Sequence, residues 1–95
     1  MSHKIEIYSK PNCVYCEKSK HLVKTLGFKY EEKMFGKDFT TPEQLYEAVG
    51  KQVRTMPQII IDDKHIGGYN ELVEYFADKG LCNFKGEVTK NVDGK

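Results

Sequence analysis

The chain has 95 residues, which bounds it to one domain with a single modest core. Hydrophobic residues make up 39% and charged residues 31%, a balance that fits a folded globular protein and argues against intrinsic disorder. Fifteen basic against fourteen acidic residues leave a formal charge of +1, so a partner held by bulk electrostatics, such as nucleic acid or an anionic membrane surface, is not expected. No apolar run approaches the ~18 residues of a spanning helix, and the polar N-terminus does not read as a secretory signal. Three cysteines are odd in number and too few to staple a secreted domain. A reducing cytoplasm is the expected location, with cysteines kept for chemistry or metal rather than for stapling.

In chain order, Ile5-Glu6-Ile7-Tyr8 predicts a strand that runs into the loop Ser9-Lys10-Pro11-Asn12. From Cys13 the period changes. Leu22, Val23 and Leu26 share one face, with Lys18, Lys20 and Lys24 interleaved, and Gly27 ends this helix. Phe28-Lys29-Tyr30-Glu31 alternates apolar and polar and predicts a second strand. Thr41-Pro42-Glu43-Gln44 announces a helix: an N-cap, a proline at the first helical position and a glutamine that completes a capping box. Leu45, Ala48 and Val49 form its expected buried face and Gly50 its exit.

Gln58-Ile59-Ile60-Ile61 reads as a buried strand, Asp62-Asp63-Lys64 as a turn, and His65-Ile66 as the antiparallel return. Gly67-Gly68 opens the backbone before Asn70, the expected N-cap of a last helix whose inner face is Leu72, Val73 and Phe76 and which stops at Gly80. The order β-α-β-α-β-β-α predicts an α/β domain over residues 1–84: one small mixed sheet with helices on both faces. Residues 85–95 form a polar tail with one good apolar anchor, Val88, and are expected to be mobile.

The sharpest chemical signal is Cys13-Val14-Tyr15-Cys16, at the junction of a strand and a helix. The first N–H groups of a helix lack intrahelical partners, and the macrodipole places partial positive charge there. A thiolate at that point is favoured, which takes a cysteine from ~8.5 into the range ~3.5–7.5. Lys10 adds a full charge from three residues upstream. The two-residue spacing lets the second thiol close a disulfide within one turn, with Cys13 attacking and Cys16 resolving. The alternatives are an inert pair and a zinc site. Zinc needs four ligands, and after the pair only Cys82, His3, His21 and His65 remain, with no second pair at ligand spacing.

Other features carry two readings each. Thr55-Met56-Pro57 is ordinarily a trans bond that starts a strand; beside thiols it becomes a candidate cis bond. Gly67-Gly68 is either a hairpin exit or a close approach of backbone to a ligand. Cys82 reads as a packed or partly exposed bystander and the histidines as surface residues, with His65 partly packed in the hairpin. Tyr15, inside the cysteine motif, is placed at the rim of the thiols.

Three segments, Lys10–Cys16, Gly50–Asp62 and His65–Leu72, stand together in an order and spacing that resemble the glutaredoxins, a branch of the thioredoxin fold. The resemblance spans residues 5 to 80. It implies a thioredoxin-like four-stranded mixed sheet and a glutathione-dependent thiol–disulfide oxidoreductase, with Cys13 as nucleophile and Cys16 as resolving thiol. It further implies that Pro57 is cis and that Met56 offers its backbone to the cysteinyl part of glutathione in two antiparallel hydrogen bonds. Tyr69, Asn70 and Glu71 would hold the γ-glutamyl end, Lys10 and Arg54 would face the glycyl carboxylate, and Tyr15, Thr55 and Gly68 would complete the glutathione site. No metal is expected.

The implied partners are glutathione and disulfide-bonded or glutathionylated proteins, with ribonucleotide reductase a client by family analogy alone. The implied state is a monomer. Val14 stands where the family commonly has proline, Met56 where it has valine and Glu71 where it has aspartate. The absence of tryptophan argues against thioredoxin itself. The rival functions are a thioredoxin-like protein reduced by a flavoprotein reductase, and a carrier of a glutathione-ligated iron–sulfur cluster.

Overall fold

In the computed structural model, residues 4–82 are described; His3 and the polar tail with Val88 lie outside them. The elements are β1 (Ile5–Ser9), α1 (Val14–Thr25), β2 (Glu31–Met34), α2 (Pro42–Val49), β3 (Gln58–Ile61), β4 (Lys64–Gly67) and α3 (Tyr69–Asp78). The strands form one sheet in the order β2-β1-β3-β4. β1 pairs parallel with β2 across the α1 crossover and antiparallel with β3, and β3 pairs antiparallel with β4. This is the mixed sheet that the order of elements predicts. No described helix is long and apolar enough to cross a membrane.

Period-two alternation divides the sheet into two faces. Ile5 and Ile7 of β1 lie opposite Ile61 and Ile59 of β3, and all four pack against Leu22, Val23 and Leu26 of the α1 segment and Leu72, Val73 and Phe76 of α3. The other face is thinner: Ile60 packs with Phe39, Leu45 and Val49, and Tyr8, Val53 and Met56 lean on that cluster. α2 starts as its sequence dictates. The Thr41 hydroxyl accepts from the Gln44 N–H at 3.3 Å, the Gln44 amide oxygen accepts from the Thr41 N–H at 3.3 Å, and Gly50 leaves the helix with φ 86°.

Four sequence expectations are corrected. β2 is Glu31–Met34 rather than residues 28–31. Phe28 and Tyr30 pack on the larger core from the connecting loop, with Phe28 stacked on Phe76 at 5.4 Å, while the strand itself is a polar edge that shows no alternation. Ala48 is exposed because so short a helix presents only a narrow strip, Leu45 and Val49, to a narrow sheet face. The β3–β4 turn is the two residues Asp62 and Asp63, at φ 52° and 67°, and Lys64 already belongs to β4. Paired left-handed residues match the twist of a two-residue hairpin. The N-cap of α3 is Gly68, not Asn70, because the Glu71 carboxylate reaches back to accept the Gly68 N–H at 2.8 Å.

Candidate active site

The loop after β1 turns through Asn12, whose φ of 58° is tolerated by a short polar side chain, and delivers Cys13 as the N-cap of α1. Its sulfur accepts the Cys16 N–H at 3.2 Å, and the two cysteines are joined as a disulfide with Cα atoms 5.2 Å apart. The pair is unequal. Cys16 is completely buried, whereas Cys13 is only partly so. Val14 and Tyr15, at 67% and 54% exposed, form the outer rim. The Tyr15 ring lies 5.7 Å from that of Tyr69 and has the Lys18 ammonium 5.3 Å from its centre. Burial raises the Tyr69 phenol above its ordinary 10.0, with lesser contributions from Cys82 and Tyr15.

Facing the disulfide is the segment before β3. The Met56–Pro57 bond is cis, and the Met56 carbonyl oxygen lies 3.7 Å from the Cys13 sulfur. In the disulfide that sulfur carries no proton, so the contact becomes a hydrogen bond only for a protonated thiol. Tyr15, the Thr55-Met56-Pro57 segment, and Gly68, Tyr69, Asn70 and Glu71 at the start of α3 line one hollow of about 260 Å³. The fold thus brings together eight of the predicted binding residues beside the cysteine pair. Lys10 and Arg54 line a neighbouring cavity that shares only Thr55 and Met56 with the hollow, and Arg54 also lines another, of about 450 Å³, with Thr55, Gly68 and Glu71. A larger cavity, about 660 Å³, runs along α1 past Val14 and His21 and is lined by neither cysteine.

Gly67 and Gly68 prove to be a close approach within the protein. At φ 128°, a side chain on Gly67 would meet the Glu71 Cγ at 2.7 Å, so glycine there makes room for the capping carboxylate. Glu71 is therefore already engaged through one oxygen.

Gln58 and His65 were not singled out by the sequence as site residues, yet they hold this segment. Gln58, only 4% exposed, donates from its amide nitrogen to the Thr55 carbonyl at 2.7 Å and to the Thr55 hydroxyl at 3.2 Å. That fixes its amide oxygen as an acceptor for His65 Nε2 at 2.7 Å, which places the imidazole proton on Nε2. Burial, with the nearby Lys51 charge, holds His65 below its ordinary 6.5 against the opposing pull of Glu71. The available signal was a polar residue heading a run of isoleucines, since a buried amide needs partners.

Cys82 is buried beyond α3, its thiol donating to the Val73 carbonyl at 3.6 Å, and burial pushes that thiol above its ordinary 9.0. Of the two readings its sequence left open, packed or partly exposed, the structure gives the packed one. Among the described residues, no cluster of three or more histidine, cysteine or acidic side chains could hold a metal ion.

Residues 5–66 match the family model for glutaredoxin. The chain is 35% identical over 77 residues to glutaredoxin 3 of Escherichia coli, covering 81% of this chain and 90% of that protein. It is 41% identical over 73 residues to the hybrid peroxiredoxin hyPrx5 of Haemophilus influenzae, covering 77% of this chain but spanning only 29% of that longer protein. Its fold is similar to that of a buckwheat glutaredoxin–glutathione complex, at TM-score 0.68 and 28% identity over 83% of this chain and 73% of the other.

Proposed function

The chain belongs to the glutaredoxin family of thiol–disulfide oxidoreductases, and from that premise we propose that it reduces protein disulfides and glutathione mixed disulfides with glutathione as its reductant. The observation that carries the proposal is the unequal pair: Cys13 capping α1 beside Met56, which lines the hollow, with Cys16 buried one turn behind it. The Cys13 thiolate attacks a substrate sulfur, the substrate S–S bond breaks, and the second substrate sulfur leaves as a thiolate that takes a proton from water. Cys16, as its thiolate, then attacks the Cys13 sulfur, which releases the bound thiol and closes the Cys13–Cys16 disulfide. Two electrons have passed to the substrate. Two glutathione molecules return them in two exchanges and leave as glutathione disulfide.

Residues of the hollow support glutathione as the reductant. A cysteinyl unit paired antiparallel with Met56 directs its γ-glutamyl end past Pro57 to the first turn of α3. There the free N–H groups and the dipole of a ten-residue helix favour its carboxylate. The second oxygen of Glu71 faces the adjacent amine, and the glycyl carboxylate runs toward Lys10 and Arg54. Each charge-assisted contact contributes roughly 1.5–3 kcal/mol where shielded and less where wet. The buckwheat relative is a glutathione complex.

The test is reduction of the mixed disulfide of glutathione and 2-mercaptoethanol, supplied with glutathione, glutathione reductase and NADPH. Steady turnover is expected. No turnover there, with turnover instead under a flavoprotein thioredoxin reductase and NADPH, refutes glutathione as the reductant.

A further inference from the structure

The cavity on the far side of Thr55 and Met56, about 410 Å³, is bounded by Met56, whose carbonyl oxygen lies 3.7 Å from the Cys13 sulfur. Its wall is apolar: Phe35 beyond β2, Leu45 and Tyr46 from α2, and Val53 before β3. Phe35 is 41% exposed, its ring held edge-on to Phe39 at 5.6 Å. Lys10 and Arg54 complete the lining, both exposed and neither in an ion pair among the described residues. An open aromatic wall edged with exposed cations, and bounded by the Met56 that faces the reactive cysteine, is a binding surface without an assigned occupant.

Glutathione does not account for it. In the binding mode above, the only group sent this way is the glycyl carboxylate, which suits the cations; glycine has no side chain for the aromatic wall. We propose that the cavity docks the protein substrate and selects a disulfide-bearing polypeptide with a large apolar residue within two positions after its reacting cysteine and a carboxylate beside it. The direction rests on the reading above. A chain antiparallel to Met56 passes Thr55 and Arg54 with its first two residues after the cysteine, at about 3.3 Å per residue, and Thr55 and Arg54 both line this cavity with Phe35, Tyr46 and Val53. The chemistry is the exchange already written, with the peptide disulfide as the electron acceptor and the reduced cysteine pair as the donor.

Pre-reduced protein is mixed with homodimeric disulfides of single-cysteine octapeptides, and the second-order rate of Cys13–Cys16 oxidation is followed. This single turnover needs no glutathione. Peptides with phenylalanine at both positions after cysteine should react about tenfold faster than peptides with serine there, as expected for partial burial of a large apolar side chain. Phenylalanine at both positions before cysteine should bring no gain. Phe35→Ser and Tyr46→Ser should each cut the tenfold preference below threefold and leave the rate on the glutathione–2-mercaptoethanol disulfide within twofold. If Phe35→Ser slows both substrates by misfolding, Tyr46→Ser decides. Equal rates for all peptides, a preference that survives Tyr46→Ser, or a rate that falls with protein concentration because a second copy covers the cavity would each overturn the proposal. A peptide preference without turnover of the glutathione disulfide removes glutathione as reductant and leaves the cavity's role standing.

Discussion

Two segments meet at the disulfide, and one of them depends on support from further away than the other. The start of α1 is organised within five residues: Asn12 turns the chain, Cys13 caps the helix, and the Cys16 N–H bonds to the Cys13 sulfur. The Thr55–Pro57 segment has a local bond too, from Gln58 to Thr55, but it leans on more distant partners as well. It is held by Gln58, which is itself held by His65 across the β3–β4 hairpin, and by Met56 packing on the smaller core. Reactivity in this molecule is a local property, whereas the surface that presents a substrate to the reactive atom is a tertiary one. Changes in the first segment should therefore alter chemistry, and changes in the second should alter affinity.

The largest effect tests the chemical side. Cys13→Ser should abolish all reduction, because the attacking thiolate is gone. Cys16→Ser should stop reduction of protein disulfides yet keep turnover of glutathione mixed disulfides, where a second glutathione resolves the intermediate. A dead Cys16→Ser beside an active Cys13→Ser would reverse the roles.

Next comes the clamp. Gln58→Ala strips the Thr55 carbonyl and His65 of their partner in a mostly buried setting, a cost of about 1–3 kcal/mol in urea unfolding. Among the molecules that remain folded, KM for a glutathione mixed disulfide should rise several-fold with kcat little changed. An unchanged KM would separate the clamp from substrate binding. Gln58→Glu sharpens the test: it keeps the acceptor for His65 and loses the donor to Thr55, so KM should still rise.

Glu71→Gln should be milder. Glutamine preserves an oxygen for the Gly68 N–H and so preserves the cap, while the charge offered to the glutathione amine is lost. Turnover of glutathionylated substrates should weaken through KM, with attack on a small disulfide lacking glutathione unaffected. Equal loss on both would remove Glu71 from the glutathione site.

Smaller still is the pH dependence of the clamp. Since the folded His65 lies below 6.5, the unfolded chain binds this proton more readily. Its contribution to stability is whole above about 6.5 and is lost as pH falls through the lower folded value. Melting temperatures between pH 7.5 and 5 should show this decline, and His65→Gln should flatten it. The least effect belongs to Lys10→Gln, which should raise the alkylation midpoint of Cys13 slightly from a value already below ~8.5, because an exposed charge is screened. A wild-type midpoint at or above ~8.5 would count against the helix-terminus argument.

Much of the fold was legible in the chain, and for local reasons. The capping box at Thr41, the isoleucine run of β3 and the helical periodicity of α1 and α3 express forces among residues a few positions apart. β2 was not, because an edge strand of Glu31–Met34 draws its pairing from β1 and has no apolar alternation of its own. The cysteine motif was legible because two thiols three residues apart at a strand–helix junction need nothing distant to become reactive.

What only the tertiary structure decided is which residues share a surface. It set Thr55, Met56 and Pro57 against Gly68–Glu71 in one hollow and sent Lys10 to another, with Arg54 between the two. It turned Glu71 back onto Gly68 and made a clamp of Gln58 and His65. Sequence by itself determined the order of elements, the alternating faces of the central strands and the site of the chemistry, since periodicity, capping and the helix dipole act over a turn or two of backbone. Cavities and long-range hydrogen bonds depend on how separate elements pack, and that is settled only when the sheet brings residues more than forty positions apart, Cys13 and Met56, to 3.7 Å.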